Sequence, residues 1–232
     1  MSEELSYSDS IKKASALLTR FPLIPVRGVP LMSHIAENFD SIWAFRPDPS
    51  DLLIATYPKA GTTWTQEIVD LLLHNGDADA CKRAPTPVRS PFLEIYGPPP
   101  IPSVSWGSWY DHVKGYWREK DNKNILYLFY EDMKENPRRE VERIMRYLDV
   151  SVSDEVISKI VELTSFEKMK DNPMANYSCI PAPVFDHSKS SFMRKGKVGD
   201  WKNHFTPQQQ KMFEDDYKEQ MKDVDIPFRN LI

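Results

Sequence analysis

Cysteine is scarce in this chain of 232 residues, with only Cys81 and Cys179 present and far apart in sequence. Two isolated cysteines make neither a metal cage nor a disulfide framework, and they read as free thiols in a reducing compartment. Long apolar runs of the kind that cross a bilayer are missing. The opening Met1-Ser-Glu-Glu-Leu-Ser has no basic region leading into an apolar stretch, so no secretory signal is visible. An excess of positive charge is missing too. Lys and Arg number 30 against 34 Asp and Glu, a formal net charge of -4, which suits neither general nucleic-acid binding nor a basic tail. Any anion site must therefore be a local cluster. No internal repeat or low-complexity segment interrupts the chain. The expectation is a soluble, cytoplasmic protein without nucleic-acid or membrane partners. Its length and 41% hydrophobic content allow one large domain or two small ones.

Several segments carry a readable period. Residues 11–18 form a short amphipathic patch, and the prolines of 21–30 imply extended chain. Ser33 to Phe45 suits a helix with Ile35, Phe39 and Ile42 on one face. Asp51-Leu-Leu-Ile-Ala55 and Asn124-Ile-Leu-Tyr-Leu-Phe-Tyr130 are apolar runs consistent with buried parallel strands. Trp64 to His74 has helical spacing, and the prolines of 84–105 leave little room for regular structure. Asp132 or Asn136 can cap a helix that opens with Pro137 and runs through Tyr147. Helices are also expected over 154–163 and 207–221, with 171–205 loop-rich. Strands alternating with helices point to an α/β fold with a parallel sheet.

Between the first strand and its helix lies Thr56-Tyr-Pro-Lys-Ala-Gly-Thr-Thr63. A loop feeding a helix N-terminus offers unpaired N–H groups and the positive end of a dipole to a phosphate. Gly61 permits close backbone approach, Thr62 and Thr63 add hydroxyls, and Lys59 supplies a cation. The nucleoside-triphosphatase loop, G-x-x-x-x-G-K-S/T, is not matched, because Lys59 precedes Gly61 and only one glycine is present. No second acidic strand end for Mg²⁺ is evident, which argues against a kinase-like phosphotransferase. A plain strand-to-helix turn with a surface lysine fits the spacing equally well. Phe192-Met-Arg-Lys-Gly-Lys-Val-Gly-Asp-Trp201 is a second basic, glycine-containing loop. Arg194 offers a planar fork for phosphate, Lys195 a point charge and Gly196 close approach. A solvated basic loop is its bland counterpart.

Together, and in this order, the strings Tyr57-Pro-Lys-Ala-Gly-Thr-Thr-Trp64 and Arg194-Lys195-Gly196 followed by Gly199-Asp200-Trp201 resemble the cytosolic sulfotransferases. The likeness runs from about residue 21 to the C-terminus. It implies a P-loop-like parallel sheet flanked by helices in a single domain spanning 1–232. It also implies 3'-phosphoadenosine 5'-phosphosulfate (PAPS) as co-substrate, with no metal. Lys59, Ala60, Gly61, Thr62, Thr63 and Trp64 would grip the 5'-phosphosulfate. Lys59 would steady charge on the leaving phosphate oxygen, and Trp64 would stack on adenine. Phe192, Met193, Arg194, Lys195 and Gly196 would clamp the 3'-phosphate. Tyr127-Leu-Phe-Tyr-Glu-Asp-Met133 resembles a family strand whose last tyrosine, Tyr130, lines the nucleotide site. Thr164, Ser165 and Phe166 match the segment that covers adenine. Without the resemblance, Tyr130 and Phe166 read as core aromatics. The implied activity is sulfuryl transfer to a hydroxyl or amine of a small acceptor such as a phenol or steroid.

The resemblance is interrupted once. The family carries a Lys-Ser/Thr-His-Leu-Pro stretch whose histidine is the general base, then a strand ending in an Ala-Arg-Asn-Pro-like turn and a Ser-Tyr-Tyr helix. Here Pro98-Pro-Pro-Ile-Pro-Ser-Val-Ser-Trp-Gly-Ser-Trp109 runs straight past that block, with a join near 100–105. The expected consequences are a catalytically inactive nucleotide-binding form, loss of a central strand and helices, and lower stability than an intact relative. His34, His74, His112, His187 and His204 are the histidines present, and His112, just beyond the join, matches a helix position without catalytic duty. The family's dimerisation stretch, K-x-x-x-T-V-x-x-x-E, is altered to Lys202-Asn-His-Phe-Thr206-Pro207-Gln-Gln-Gln-Lys211. A homodimer through it is therefore in question.

Overall fold

The computed structural model describes residues 22–92, 107–180, 182 and 186–229. The amphipathic patch at 11–18 and the join near 100–105 lie outside the described residues. Two compact units are present, each assembled from two stretches of sequence. The first takes its described residues from before 107 and from Val152–Arg194, the second from Gly107–Ser151 and from Lys195 onward.

In the first unit, β1 (Leu23–Val26) and β2 (Val29–Met32) form an antiparallel hairpin in which Leu23 faces Met32 and Val26 faces Val29. The two-residue turn Arg27-Gly28 has positive φ at both positions, +51° and +83°. Those dihedrals match the right-handed twist of the flanking strands. The expected helix over 33–45 divides at Asn38 into α1 (Ser33–Glu37) and α2 (Phe39–Ala44). The Arg27 guanidinium lies 4.0 Å from the Trp43 ring centre.

Next comes α3 (Thr62–Leu73), which buries Gln66, Glu67, Ile68, Val69, Leu71 and Leu72. It stops where the chain turns left-handed at Asn75 and Gly76, φ +50° and +73°. The Gly76 N–H then reaches back to the Leu71 carbonyl at 2.7 Å and that of Asn75 to Leu72 at 3.2 Å. This six-to-one closure satisfies carbonyls that the helix itself leaves open. Despite the prolines, Thr86–Arg89 forms one helical turn, α4, with Pro87 in its first turn, where its missing N–H costs nothing.

In the second unit, α5 (Trp109–Glu119), α6 (Tyr130–Glu135) and α7 (Pro137–Tyr147) are helical. Of the two candidate caps for α7, Asn136 is used, its Oδ1 accepting the Arg139 N–H at 3.0 Å. The first unit resumes with α8 (Asp154–Leu163) and α9 (Phe166–Asp171), and α10 (Pro207–Met221) belongs to the second. Val113, Met221 and Ile226 are buried together, with Trp109, Trp117, Phe129 and Phe228 packed against them.

Neither apolar run read as a parallel strand is paired. Among the described residues the only ladder is the β1–β2 hairpin. Residues 51–57 carry no regular structure, and Leu53 is 68% exposed. Residues 125–129 are likewise unpaired, and side chains of α7 serve two carbonyls at or beside this run. The Tyr147 hydroxyl donates to Asn124 at 2.8 Å and Arg143 to Tyr127 at 3.3 Å. A strand's carbonyls need donors, and side chains substitute where no neighbouring strand offers N–H groups.

Candidate nucleotide site

The loop before α3 is shaped by two residues with positive φ, Lys59 at +67° and Gly61 at +118°. The Ala60 N–H closes the turn on the Tyr57 carbonyl at 3.1 Å, and the hydroxyls of Thr56 and Thr62 hydrogen-bond. Gly61 precedes the helix without a side-chain cap, and no acidic residue lies in the first turn. The positive end of α3 is therefore uncompensated by protein carboxylates within that turn, which suits an anion. Thr63 is buried, and Thr62 and Trp64 are partly buried.

Lys59 is exposed as a residue, yet its ammonium is engaged by protein. Its ammonium donates to the Phe192 carbonyl at 2.8 Å and sits 3.8 Å from the centre of the Phe192 ring. Burial lowers its pKa, and the charge of Arg194 lowers it further. Phe192 in turn stacks on Tyr177, with ring centres 4.1 Å apart and planes 26° from parallel. The first motif's lysine and the opening residues of the second motif thus meet within one unit, across 133 residues of sequence. Neither the Phe192 carbonyl nor Tyr177 stands out in the sequence, since a left-handed backbone leaves no signature in a lone tyrosine.

The second motif is divided between the units. Phe192, Met193 and Arg194 belong to the first, Lys195 and Gly196 to the second. In the second unit the Lys195 ammonium meets Asp200 at 2.8 Å, and the same buried carboxylate takes Asn203 at 3.0 Å and His204 at 3.1 Å. Asp200 therefore aims Lys195, a role the sequence string alone did not reveal. Gly196 has φ +61°, a conformation that costs glycine little.

The other predicted residues lie at helix ends, Thr164 closing α8 and Ser165, Phe166 and Tyr130 opening the helices that follow them. The Thr164 hydroxyl is buried and donates to the Ile160 carbonyl at 2.8 Å, and Ser165 caps α9, which opens with Phe166. Tyr130 opens α6 in the second unit, and burial raises its pKa, with Glu131 adding to the rise.

The histidines with described side chains are engaged in local structure. His74 Nδ1 meets the Asp70 carbonyl at 2.8 Å, His187 Nε2 the Tyr177 carbonyl at 3.2 Å, and His204 meets Asp200. His112 lies beside Tyr116 with ring centres 5.0 Å apart, and burial lowers its pKa. Asp70, His74 and Cys81 bring one ligand atom each within 4.8 Å of one another. The Asp70 carboxylate is nevertheless taken by Arg83 and Arg89. Burial and the Asp70 hydrogen bond push the Cys81 thiol up to about 12. A metal there would have to displace two guanidinium groups and deprotonate an unwilling thiol.

No helix among the described residues is long and apolar enough to cross a membrane. The fold is shared with a solved retinol dehydratase in complex with androsterone and inactive cofactor PAP. That likeness has a TM-score of 0.78 at 21% identity and covers 97% of each chain. It places the chain among α/β sulfotransferase folds. Sulfotransferase 1B1 of the dog, Canis lupus familiaris, is 38% identical over an alignment covering 89% of this chain and 95% of the relative. Sulfotransferase 1C2 of the rat, Rattus norvegicus, is 38% identical over 93% and 98%. The pattern described as "Sulfotransferase domain" matches residues 49–104 and 101–225, so both phosphate loops lie inside it. With its loops, its fold and its relatives in agreement, the chain belongs to the sulfotransferase family.

Proposed function

We propose that the chain binds PAPS as co-substrate and that its family chemistry is sulfuryl transfer to a hydroxyl or amine of a small acceptor. The observation that carries this reading is Lys59, held at the mouth of an uncapped helix start with Arg194 close enough to lower its pKa. Two cations and the N–H groups of an uncapped helix start suit a phosphorylated, sulfated nucleotide better than a neutral ligand. In the reaction the acceptor oxygen or nitrogen bonds to sulfur, the sulfur–oxygen bond to the phosphate breaks, and the acceptor's proton passes to a base. Lys59 stabilises charge on the phosphate oxygen that is left. The androsterone and retinol bound by solved fold relatives suggest an apolar acceptor with one hydroxyl.

A second reading, a nucleotide binder without turnover, is favoured by a specific observation. The alignment with the dog relative runs over 282 positions, more than the 232 residues of this chain. The family match also breaks into two pieces that meet at 101–104. Both fit an internal gap where the general-base histidine belongs. A positioned base contributes about 10²–10⁴-fold, so its loss leaves binding without useful rate.

The test is calorimetric titration with 3'-phosphoadenosine 5'-phosphate, followed by a transfer assay with labelled PAPS and a simple phenol. Saturable binding that Lys59→Ala weakens at least tenfold supports the nucleotide reading, and no binding by the unaltered chain refutes it. Binding without transfer selects the second reading, and transfer selects the first.

A further inference from the structure

Four residues of the first unit form a chain of contacts that ends on the lysine of the phosphate loop. Tyr177 is 5% exposed and has φ +61°, so its side chain leaves the backbone in a direction that ordinary helical or extended residues do not offer. Its carbonyl is fixed twice, by the Ile180 N–H at 3.0 Å and by His187 Nε2 at 3.2 Å. A carbonyl only accepts, so Nε2 carries the proton. The Tyr177 ring is the platform on which Phe192 stacks. Phe192 then holds the Lys59 ammonium twice over, by carbonyl and by ring face.

We propose that Tyr177 is a positioning residue for Lys59, acting through Phe192, and that this chain of contacts sets the lysine before any nucleotide arrives. The role rests on the nucleotide reading above only where affinity is concerned. The positioning itself is a property of the free protein. A lysine side chain has some of the largest rotamer freedom to lose on ordering. Held at 2.8 Å from a neutral carbonyl, it has already lost that freedom. A phosphate oxygen forms a stronger, charge-assisted bond than a carbonyl does, so the ammonium exchanges one acceptor for the other over a short path. The ring face of Phe192 attracts the cation meanwhile. Tyr177 touches neither substrate nor reacting atoms in this scheme. Its contribution is where Phe192 lies.

The test uses the full chain, isotope-labelled at the lysine ε-carbons, without nucleotide. The Lys59 resonance, identified by its absence in Lys59→Arg, is expected to be displaced upfield by the Phe192 ring. Tyr177→Leu should return it at least halfway to the position of the other lysines and weaken 3'-phosphoadenosine 5'-phosphate binding about tenfold, or ~1.4 kcal/mol. Tyr177→Phe, which keeps the stacked ring, should retain both the shift and the affinity. A folded Tyr177→Leu chain that keeps the displaced resonance overturns the proposal. If that variant does not fold, loss of the shift in Tyr177→Phe, or its survival in Phe192→Leu, overturns it instead. A native chain whose shift collapses as expected in Tyr177→Leu, yet which binds no nucleotide, supports the positioning role and refutes only the nucleotide reading.

Discussion

Replacing Arg89 with alanine removes the cation on which two carboxylates of α3 converge. The Arg89 side chain is 2% exposed, and its guanidinium bonds Glu67, 6% exposed, and Asp70, 13% exposed. It also donates to the Ala84 carbonyl at 2.7 Å. After truncation Glu67 keeps the Thr86 hydroxyl at 2.7 Å but no cation, and Asp70 keeps Arg83. Removing one partner of a buried ion pair costs about 3–5 kcal/mol, because the charge left behind remains desolvated. The retained Arg83 contact argues for the lower part of that range, about 3–4 kcal/mol. In a chain of this size that corresponds to a drop of roughly 6–16 °C in Tm, read by calorimetry or circular dichroism. Arg83→Ala is the control, since its side chain is 44% exposed and such pairs contribute only ~0–1 kcal/mol. The double variant Glu67→Leu with Arg89→Met should lose less than Arg89→Ala alone. The pH dependence has a fixed sign. Burial raises the Asp70 pKa, but the hydrogen bonds and charges of its neighbours outweigh this and leave it below the usual 3.8. The Asp70 contribution is thus complete above about pH 4 and disappears as the pH falls through the lowered value. Equal melting temperatures for Arg89→Ala and Arg83→Ala would refute the reasoning.

Three further outcomes are expected. Cys81, pushed up to about 12, should react with a disulfide reagent at pH 8 only after denaturant is added, and Cys179, also raised by burial, should lag behind a free thiol standard. Gly76→Ala should cost about 1–3 kcal/mol in urea unfolding, because the residue has φ +73° and a Cβ there would lie 2.9 Å from Val156 Cγ1. Thr206→Ala removes one half of a reciprocal cap with Gln209 at the start of α10 and should cost about 1 kcal/mol in the same assay.

How much the sequence revealed depended on how local the signal was. Helices α3, α7, α8 and α10 were legible because caps, prolines and apolar period lie within a few residues of one another. The glycine loop was legible for the same reason. Asp51–Ala55 and 124–130 read as strands, yet an apolar run specifies only a willingness to pair. Its partner is supplied from elsewhere in the chain, and here Tyr147 and Arg143 serve the carbonyls of Asn124 and Tyr127 instead. The division of 33–45 at Asn38 was equally hidden, because Ile35 before it and Phe39 and Ile42 after it keep a helical spacing straight across the break. At the site, Lys59 and Arg194 were readable from their motifs. The Phe192 carbonyl was not, because backbone acceptors are present at every position and only the fold selects one. The altered dimer string has a local use as well: Thr206 caps α10 and Pro207 occupies its first turn, where proline is favoured.

The interleaving of the two units bears on how the chain is made. Tyr110 in α5 donates to Asp216 in α10, 106 residues later, and Val113 shares its core with Met221 and Ile226. During synthesis α5 therefore emerges long before its partners exist. The first unit is also incomplete until the stretch ending at Arg194 has been made. Neither unit can be released as one continuous fragment, and the second cannot finish folding until the stretch that carries Asp216, Met221 and Ile226 has left the ribosome. For most of that time Trp109, Tyr110 and Trp117 present an aromatic face to whatever chaperone is nearest.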